Sequence, residues 1–253
     1  PQPLSVRRLV SFSEAVYAGV WRVEGVTARL VADAGEAENV LARGEIAVLV
    51  DPPADIRFAL PPEVLIDARM TKCPLDPSTS PRAGLGRDAA PLVIGLGPGF
   101  VPGDGPRRNC HAAVETLRGH YLGRVYWDRP PAPDTGIPES VGPFGAERVL
   151  RAPAAGILEA AAPIGAILDE GEVAGWVRTA GLPETHHPIR AAFRGMLRGL
   201  LRSGVPVTPG MKVGDLDPRG DPAYCVTVSD KALAVGGGVL EAIISHQNFS
   251  KER

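Results

Sequence analysis

A 39-residue spacing constrains this chain more than any other feature. Gly156, Gly165, Gly171 and Gly175 recur as Gly195, Gly204, Gly210 and Gly214, and Ala152/Ala191 and Ile157/Met196 keep the same offset of 39. Glycine is needed where φ is positive or where backbones pass closely. Two copies of one glycine pattern therefore imply two structural halves with the same turns. Composition agrees with a build of short strands and tight turns. The 253 residues include 30 Gly and 26 Pro, and helix interiors tolerate neither, which excludes a helical bundle or coiled coil. At 44% hydrophobic residues, wholesale disorder is excluded as well.

Inside each copy the order is Ala-Pro-x-x-Gly-Ile, then Ile-Gly, then Gly-x-x-x-Gly, most clearly from Ala152 to Gly175. This resembles a biotinyl/lipoyl-type barrel-sandwich, which is built from two such half-sheets. Carrier versions of that fold bear a modified Lys at the hairpin between halves. Here that hairpin falls near Arg178 to Pro188 and holds Thr179, Gly181, Glu184, His186 and His187 but no Lys, which argues against a swinging-arm carrier and for a rigid scaffold or docking surface. The His186–His187 pair has no further ligand nearby and reads as exposed loop, not as a metal site.

The N-terminal part alternates strand and helix signals. Val20 to Val31 reads as strand broken at Gly25, and Asp33 as the cap of a helix from Ala34 to Arg43 that Gly44 ends. Ile46 to Val50, Val64 to Ile66 and Leu92 to Ile94 are short apolar runs ending in Asp or Gly, as buried parallel strands do. Cys73 to Asp88 reads as an exposed loop and Arg129 to Gly145, rich in Pro and Gly, as a linker or long ordered loop. Val226 to Lys231 reads as a strand, with Ser229 or Asp230 as a cap, and Gly236-Gly237-Gly238 as the start of a helix running through Val239 to Ile244. The glycines there allow close approach of an anion or of another backbone. The expected fold is α/β plus all-β: a truncated Rossmann-like part over 1–128, a Pro/Gly-rich segment over 129–146, a barrel-sandwich with the 39-residue repeat over 147–216, and a closing strand–helix segment over 217–253.

Charge is nearly balanced, with 27 basic and 29 acidic residues and a net charge of -2. That argues against a nucleic-acid binder. Only Lys72, Lys212, Lys231 and Lys251 are lysines; the excess of Arg reflects GC-rich codon usage or selection for bidentate grip on anions. The cysteines, Cys73, Cys110 and Cys225, are three, widely spaced and without a CxxC pair, so neither a zinc ribbon nor a disulfide framework is indicated. No apolar run approaches ~18 residues and no signal peptide is visible, so the expectation is a cytoplasmic protein without a membrane span.

The densest polar tract runs from Val93 through Gly95, Gly97 and Gly99 to His111, Glu115, Arg118, Gly119 and His120. Alternating glycines after a strand can expose N–H groups to an anion, or simply form a turn. The spacing is not Gly-x-Gly-x-x-Gly, and Pro98 removes one donor. If His111 to Glu115 is a strand, His111, Ala113 and Glu115 share a face. Such a set could grip an anion through Arg118 and move a proton through His111, Glu115 or His120; it could equally pin the loop around Gly119. Cys110 beside His111 is too sparse a signature for a metal. Asp67 and Lys72 follow a predicted strand, where ligands bind open α/β sheets, or form a surface ion pair.

Val93-Ile94-Gly95-Leu96-Gly97-Pro98-Gly99-Phe100, His111 to Thr116, Arg118-Gly119-His120, Leu122 to Val125, Thr135-Gly136-Ile137-Pro138, Glu147 to Pro153, Gly210 to Asp215, Asp217 to Pro222, Ser229 to Ala232 and Gly236 to Glu241 together resemble the selenium-dependent molybdenum hydroxylase system accessory protein family. The resemblance runs across nearly the whole chain. It implies a protein that helps mature molybdenum hydroxylases, acting on or binding the molybdopterin cofactor or its selenium ligand, with a hydroxylase or its other maturation proteins as partners. It also implies Arg219 and Lys231 as further anion contacts beside Gly95, Gly97, Gly99, Arg118, Gly119, Lys72 and Asp67. Relative to the family pattern, the chain begins at Pro1-Gln2-Pro3-Leu4, past a first strand, a Gly-Asp-containing loop and a helix. A nucleotide role is therefore expected only with that unit present. Leu117 stands where the family usually has Asn. The alternatives are a nucleotide-dependent enzyme and a docking scaffold without chemistry of its own.

Overall fold

The computed structural model describes residues 2–73, 85–105, 108–136, 140–181 and 185–251. In chain order the elements are α1 (Ala15–Ala18), β1 (Val20–Val23), β2 (Val26–Leu30), α2 (Ala34–Leu41), β3 (Ile46–Val48), α3 (Ile56–Ala59), β4 (Val64–Asp67), β5 (Leu92–Leu96), β6 (Ala112–Val114) and β7 (Val125–Tyr126). There follow β8 (Val149–Arg151), β9 (Gly156–Ala160), β10 (Ile167–Leu168), β11 (Val173–Thr179), β12 (Thr185–Arg190), β13 (Gly195–Leu200), β14 (Pro206–Val207), β15 (Lys212–Asp217), α4 (Ala223–Val226) and α5 (Asp230–Lys251). The fold is mixed α/β, and the described residues form one three-stranded and three four-stranded sheets.

Packing divides the chain into two units: residues 1–50 with 137–228, and residues 51–136 with 229–253. This differs from the expected consecutive division into 1–128, 129–146, 147–216 and 217–253. The chain changes unit within the expected linker, between 136 and 137, but also at 50 and 228. The reason is that sheet pairing and α5 bring together segments that are far apart in sequence.

In the first unit the repeat becomes visible as strands. Shifting β8, β9, β10 and β11 by 39 residues places them on β12, β13, β14 and β15, with β10 landing on β14 residue for residue. The sheets read β10-β13-β15-β8 and β12-β11-β9-β14, so each copy contributes two strands to each sheet and the sheets have equivalent order. Hydrogen bonds repeat too. Gly165 N–H donates to Leu197 O and Gly204 N–H to Leu158 O, both at 2.8 Å; Gly171 N–H donates to Ala191 O (2.8 Å) and Gly210 N–H to Ala152 O (2.9 Å). Gly165 and Gly204 have φ of 98° and 88°, a region favouring glycine. Leu158, Val177, Leu197, Leu200, Val213 and Leu216 fill the shared core. The unit also holds the sheet β1-β2-β3, in which β2 and β3 pair in parallel across α2. Asp33 caps α2 by accepting the Glu36 N–H at 2.9 Å.

In the second unit β4, β5 and β6 are parallel and β7 closes antiparallel on β6. One face of the sheet packs Leu92, Ile94, Ala112 and Val114 against Val235, Val239, Ala242 and Ile243 of α5. The other face packs Val93 and Ala113 with Phe100 and Cys110. Two expectations are corrected here. The segment Val226 to Lys231 is not a strand: Pro222 leads into α4, Thr227 ends it, and Ser229 Oγ accepts the Ala232 N–H at the start of α5. The triplet Gly236–Gly238 lies inside α5 and not before it. Its third glycine has a packing reason, since a Cβ there would overlap Gly123 O and sit 2.9 Å from Val114. Among the described residues no helix is long and apolar enough to cross a membrane.

Candidate functional site at the carboxyl edge of the parallel sheet

Three strands of the second unit end side by side, with Asp67 opposite Gly95 and Leu96 opposite Val114. The segments that follow them meet. Gly97 N–H donates to Val114 O (3.0 Å) and Gly99 N–H to Thr71 O (2.9 Å). The first residues of α5 join this edge, because Arg118 makes a two-pronged ion pair with Asp230, with Nη2 2.7 Å from Oδ1. Lys72 Nζ lies 2.9 Å from Asp134 Oδ1. The Lys72 hydrogen bond, with Lys231 adding its field, holds the Asp134 carboxyl below its usual range. Lys72, Arg118, Asp134, Asp230 and Lys231 thus share one edge.

The expected anion cradle at Gly95–Gly99 is corrected by its hydrogen bonds: the N–H groups of Gly97 and Gly99 already have backbone acceptors. The glycines answer to packing. A Cβ on Gly95 would overlap the Phe100 ring, one on Gly99 would meet Thr71 O at 2.7 Å, and Gly97 has φ of 92°. Thr71 Oγ1 is buried there with no hydrogen-bond partner among the described residues.

Glu115 was a candidate for proton transfer. It is buried, and its Oε1 accepts the N–H groups of Thr116 (2.9 Å) and Leu117 (2.8 Å) while Oε2 accepts that of Ala132 (2.8 Å). Those bonds fix the loop after β6 and give the carboxylate a structural task. Nor do His111, Glu115 and His120 form a set. His111 lies at the amino end of β6, where Nδ1 accepts the Val93 N–H at 2.9 Å; Glu115 lies beyond its carboxyl end. Burial lowers the pKa of His111, with the Arg87 charge and His246 acting in the same direction. His120 is exposed and packs edge-on to Tyr121, and Gly119 is exposed at φ 129°.

Asp67 is 3% exposed and accepts the Arg69 N–H and guanidinium; no ion pair joins it to Lys72. Arg219 belongs to the other unit, where it clasps Asp217. Burial raises the Cys110 thiol to about 12, so it is no nucleophile at neutral pH. Among the described residues no three His, Cys, Asp or Glu side chains gather as metal ligands. His186 and His187 lie on β12, with His186 Nδ1 3.8 Å from Glu159. Glu184 of the expected hairpin tip, and Ile137 and Pro138, lie outside the described residues. Sequence reasoning missed the acidic partners Asp134 and Asp230. The available signal was that each motif cation needs a carboxylate somewhere, but not which one.

No protein-family model matches the chain. Over 243 residues it is 42% identical to the uncharacterized protein YqeB of Escherichia coli (strain K12), an alignment covering 96% of this chain and 41% of that protein. The chain therefore spans well under half the length of this curated relative. Among solved structures, an aspartoacylase family protein from Mesorhizobium loti overlaps with a TM-score of 0.27 and 24% identity, covering 28% of this chain and 23% of that one. A succinylglutamate desuccinylase/aspartoacylase from Rhodobacter sphaeroides overlaps at 0.25 and 23%, covering 28% and 22%. Overlaps this small carry no argument about function.

Proposed function

We propose that the chain is part of an accessory protein for the maturation of selenium-dependent molybdenum hydroxylases, binding the anionic molybdopterin cofactor or its selenium-bearing form. The observation that supports this reading is the meeting of family-like segments at one edge. The loop after β5, Glu115 to Arg118 after β6, and Ser229 to Lys231 opening α5 come from distant parts of the sequence and join through Gly97–Val114 and Arg118–Asp230 contacts. The donor set suits a phosphate-bearing ligand. Lys72 and Arg118 each rest on an exposed or half-exposed carboxylate, and such surface pairs are weak enough for a ligand anion to replace the carboxylate. Guanidinium supplies the bidentate geometry phosphate prefers.

In fold terms, the two-sheet repeat is read as a barrel-sandwich of biotinyl/lipoyl type, and β2-α2-β3 and the β4–β6 sheet as Rossmann-like pieces. With no Lys between Arg178 and Pro188, the repeat serves as scaffold and not as a carrier arm.

The test is to delete the complete gene in its host, purify a molybdenum hydroxylase grown with selenium, and measure activity, selenium and molybdenum. Loss of selenium with molybdenum retained is the expected result. An active enzyme with normal contents of both overturns the reading for that hydroxylase.

A further inference from the structure

The long helix α5 has two faces of different character. Val235, Val239, Ala242 and Ile243 pack on the parallel sheet. The opposite face carries Leu233, Leu240 and Ile244, which are 64%, 57% and 49% exposed. Gly236 and Gly237 lie on that face too, and both are exposed. Unlike Gly238, these two glycines have no packing reason among the described residues: a Cβ on either would meet nothing within 4 Å. Neither has the positive φ that would call for glycine. Glycine is the least favourable helix residue after proline. Two of them in mid-helix, between exposed leucines, suit the close approach of another backbone.

The spacing sets what kind of partner fits. Leu233, Gly237, Leu240 and Ile244 follow in steps of four, three and four. That alternation is a coiled-coil seam, in which apolar knobs enter holes on a facing helix. The stripe is complementary to itself when two copies run antiparallel. The register that sets Leu240 of one copy into the hollow at Gly237 of the other also sets Leu233 beside Ile244, because both pairs are centred between Gly238 and Val239. Each contact then occurs twice about a two-fold axis, as an isologous interface requires. Charge agrees with this register. Glu241, exposed on the same face, falls beside Gly236 of the other copy and not beside its own counterpart. A parallel pair would put Gly237 on Gly237, leaving a gap, and Glu241 next to Glu241. From Leu233 to Ile244 the seam runs about 17 Å along the helix. A contact of that length covers less than the roughly 800 Å² per partner of a standard interface, so it supports a reversible dimer and not an obligate one.

We propose that the outer face of α5 pairs antiparallel with the same face of a second copy of this chain, giving a weak symmetric dimer. The proposal does not rest on the maturation reading. Its test is sedimentation equilibrium of the full chain up to roughly 1 mM, enough to populate a dimer with a Kd of about 10–100 μM. Concentration-dependent dimerisation is expected, and Leu240→Glu removes it over the same range. Gly237→Ala fills the hollow and weakens the dimer about tenfold. The same change leaves the melting temperature of the dilute monomer unchanged or higher, because Ala favours the helix, so general destabilisation cannot account for the loss. Leu233→Cys combined with Ile244→Cys gives a disulfide-linked dimer under mild oxidation, beyond any linkage of the unchanged chain through its exposed Cys73. Either change alone does not. A chain that stays monomeric at every concentration leaves the seam to a different partner and overturns the proposal. So does a dimer that Leu240→Glu leaves intact, or efficient linkage by Leu233→Cys alone, which marks a parallel pair.

Discussion

The two units use glycine and charge in opposite ways. In the two-sheet unit the glycines recur with the strands, and equivalent glycines meet equivalent neighbours: Gly156 faces Arg178 O, and Gly195 faces Asp217 O, 39 residues on. In the parallel-sheet unit each glycine has its own reason, with Gly95 under the Phe100 ring and Gly238 against Gly123 O. A repeat announces its turns because the same geometry must be met twice. A single sheet edge assembled from five segments announces nothing of the kind, and its polar residues acquire their tasks only from the neighbours that pairing gives them.

The largest expected effect tests the glycine half of this contrast. Gly156→Ala drives a Cβ into backbone at Arg178 O, which cannot move without disturbing the β9–β11 pairing. We expect a loss of about 3 kcal/mol by urea denaturation. Gly95→Ala meets Cγ and Cβ of the buried Phe100, atoms that ring rotation does not move away, so its cost should be comparable; a much smaller cost would show that a side chain yields where backbone does not. Next comes Glu115→Ala, which leaves three backbone N–H groups without their acceptor and should cost about 2 kcal/mol. A catalytic Glu115 would instead lose activity at unchanged stability.

Acid separates the units more gently. Protonating His111 at Nδ1 destroys its acceptor role toward Val93. Its folded pKa lies below the ordinary 6.5, chiefly through burial. The associated stability is therefore complete above that ordinary value and is lost as pH falls through the lowered folded one. In the other unit burial opposes ionisation of Asp217, but hydrogen bonds from Arg219 hold its pKa at about 2, against 3.8 ordinarily. Its contribution is complete above 3.8 and lost only as pH falls toward 2. Melting temperatures followed downward from pH 7.5 should thus fall first in a step that His111→Gln diminishes, while Asp217→Asn lowers them throughout and its difference from wild type closes only in stronger acid. The smallest effect is that of Arg118→Ala. Its ion pair with Asp230 is exposed, so it should cost less than about 1 kcal/mol while removing function if the edge binds an anion. Substantial unfolding would make Arg118 a structural residue.

Much of the fold was legible for a reason particular to each element. The hairpin of β1 and β2 followed from Gly25, α2 from the Asp33 cap and Gly44, and the short strands from apolar runs ending in Asp or Gly. Val226 to Lys231 misled because its β-branched residues suggested a strand, whereas Pro222 and Ser229 set local turns that no sheet partner overrode. The glycine triplet misled because glycine disfavours helices in isolation, while α5 gains enough from its apolar face against the sheet to include it.

The two-fold repeat and the positions of its turns are already written in the chain, because periodic glycines are a local backbone requirement met twice. The chain also determined which residues could bind an anion, because residue type fixes charge. Tertiary packing alone settles that the copies exchange strands between two sheets, that Glu115 is occupied by backbone donors, that Arg118 meets Asp230, and that Arg198 joins Asp215 to Asp217. Those facts depend on which distant segments pack together, and long-range pairing leaves no fixed spacing in the chain.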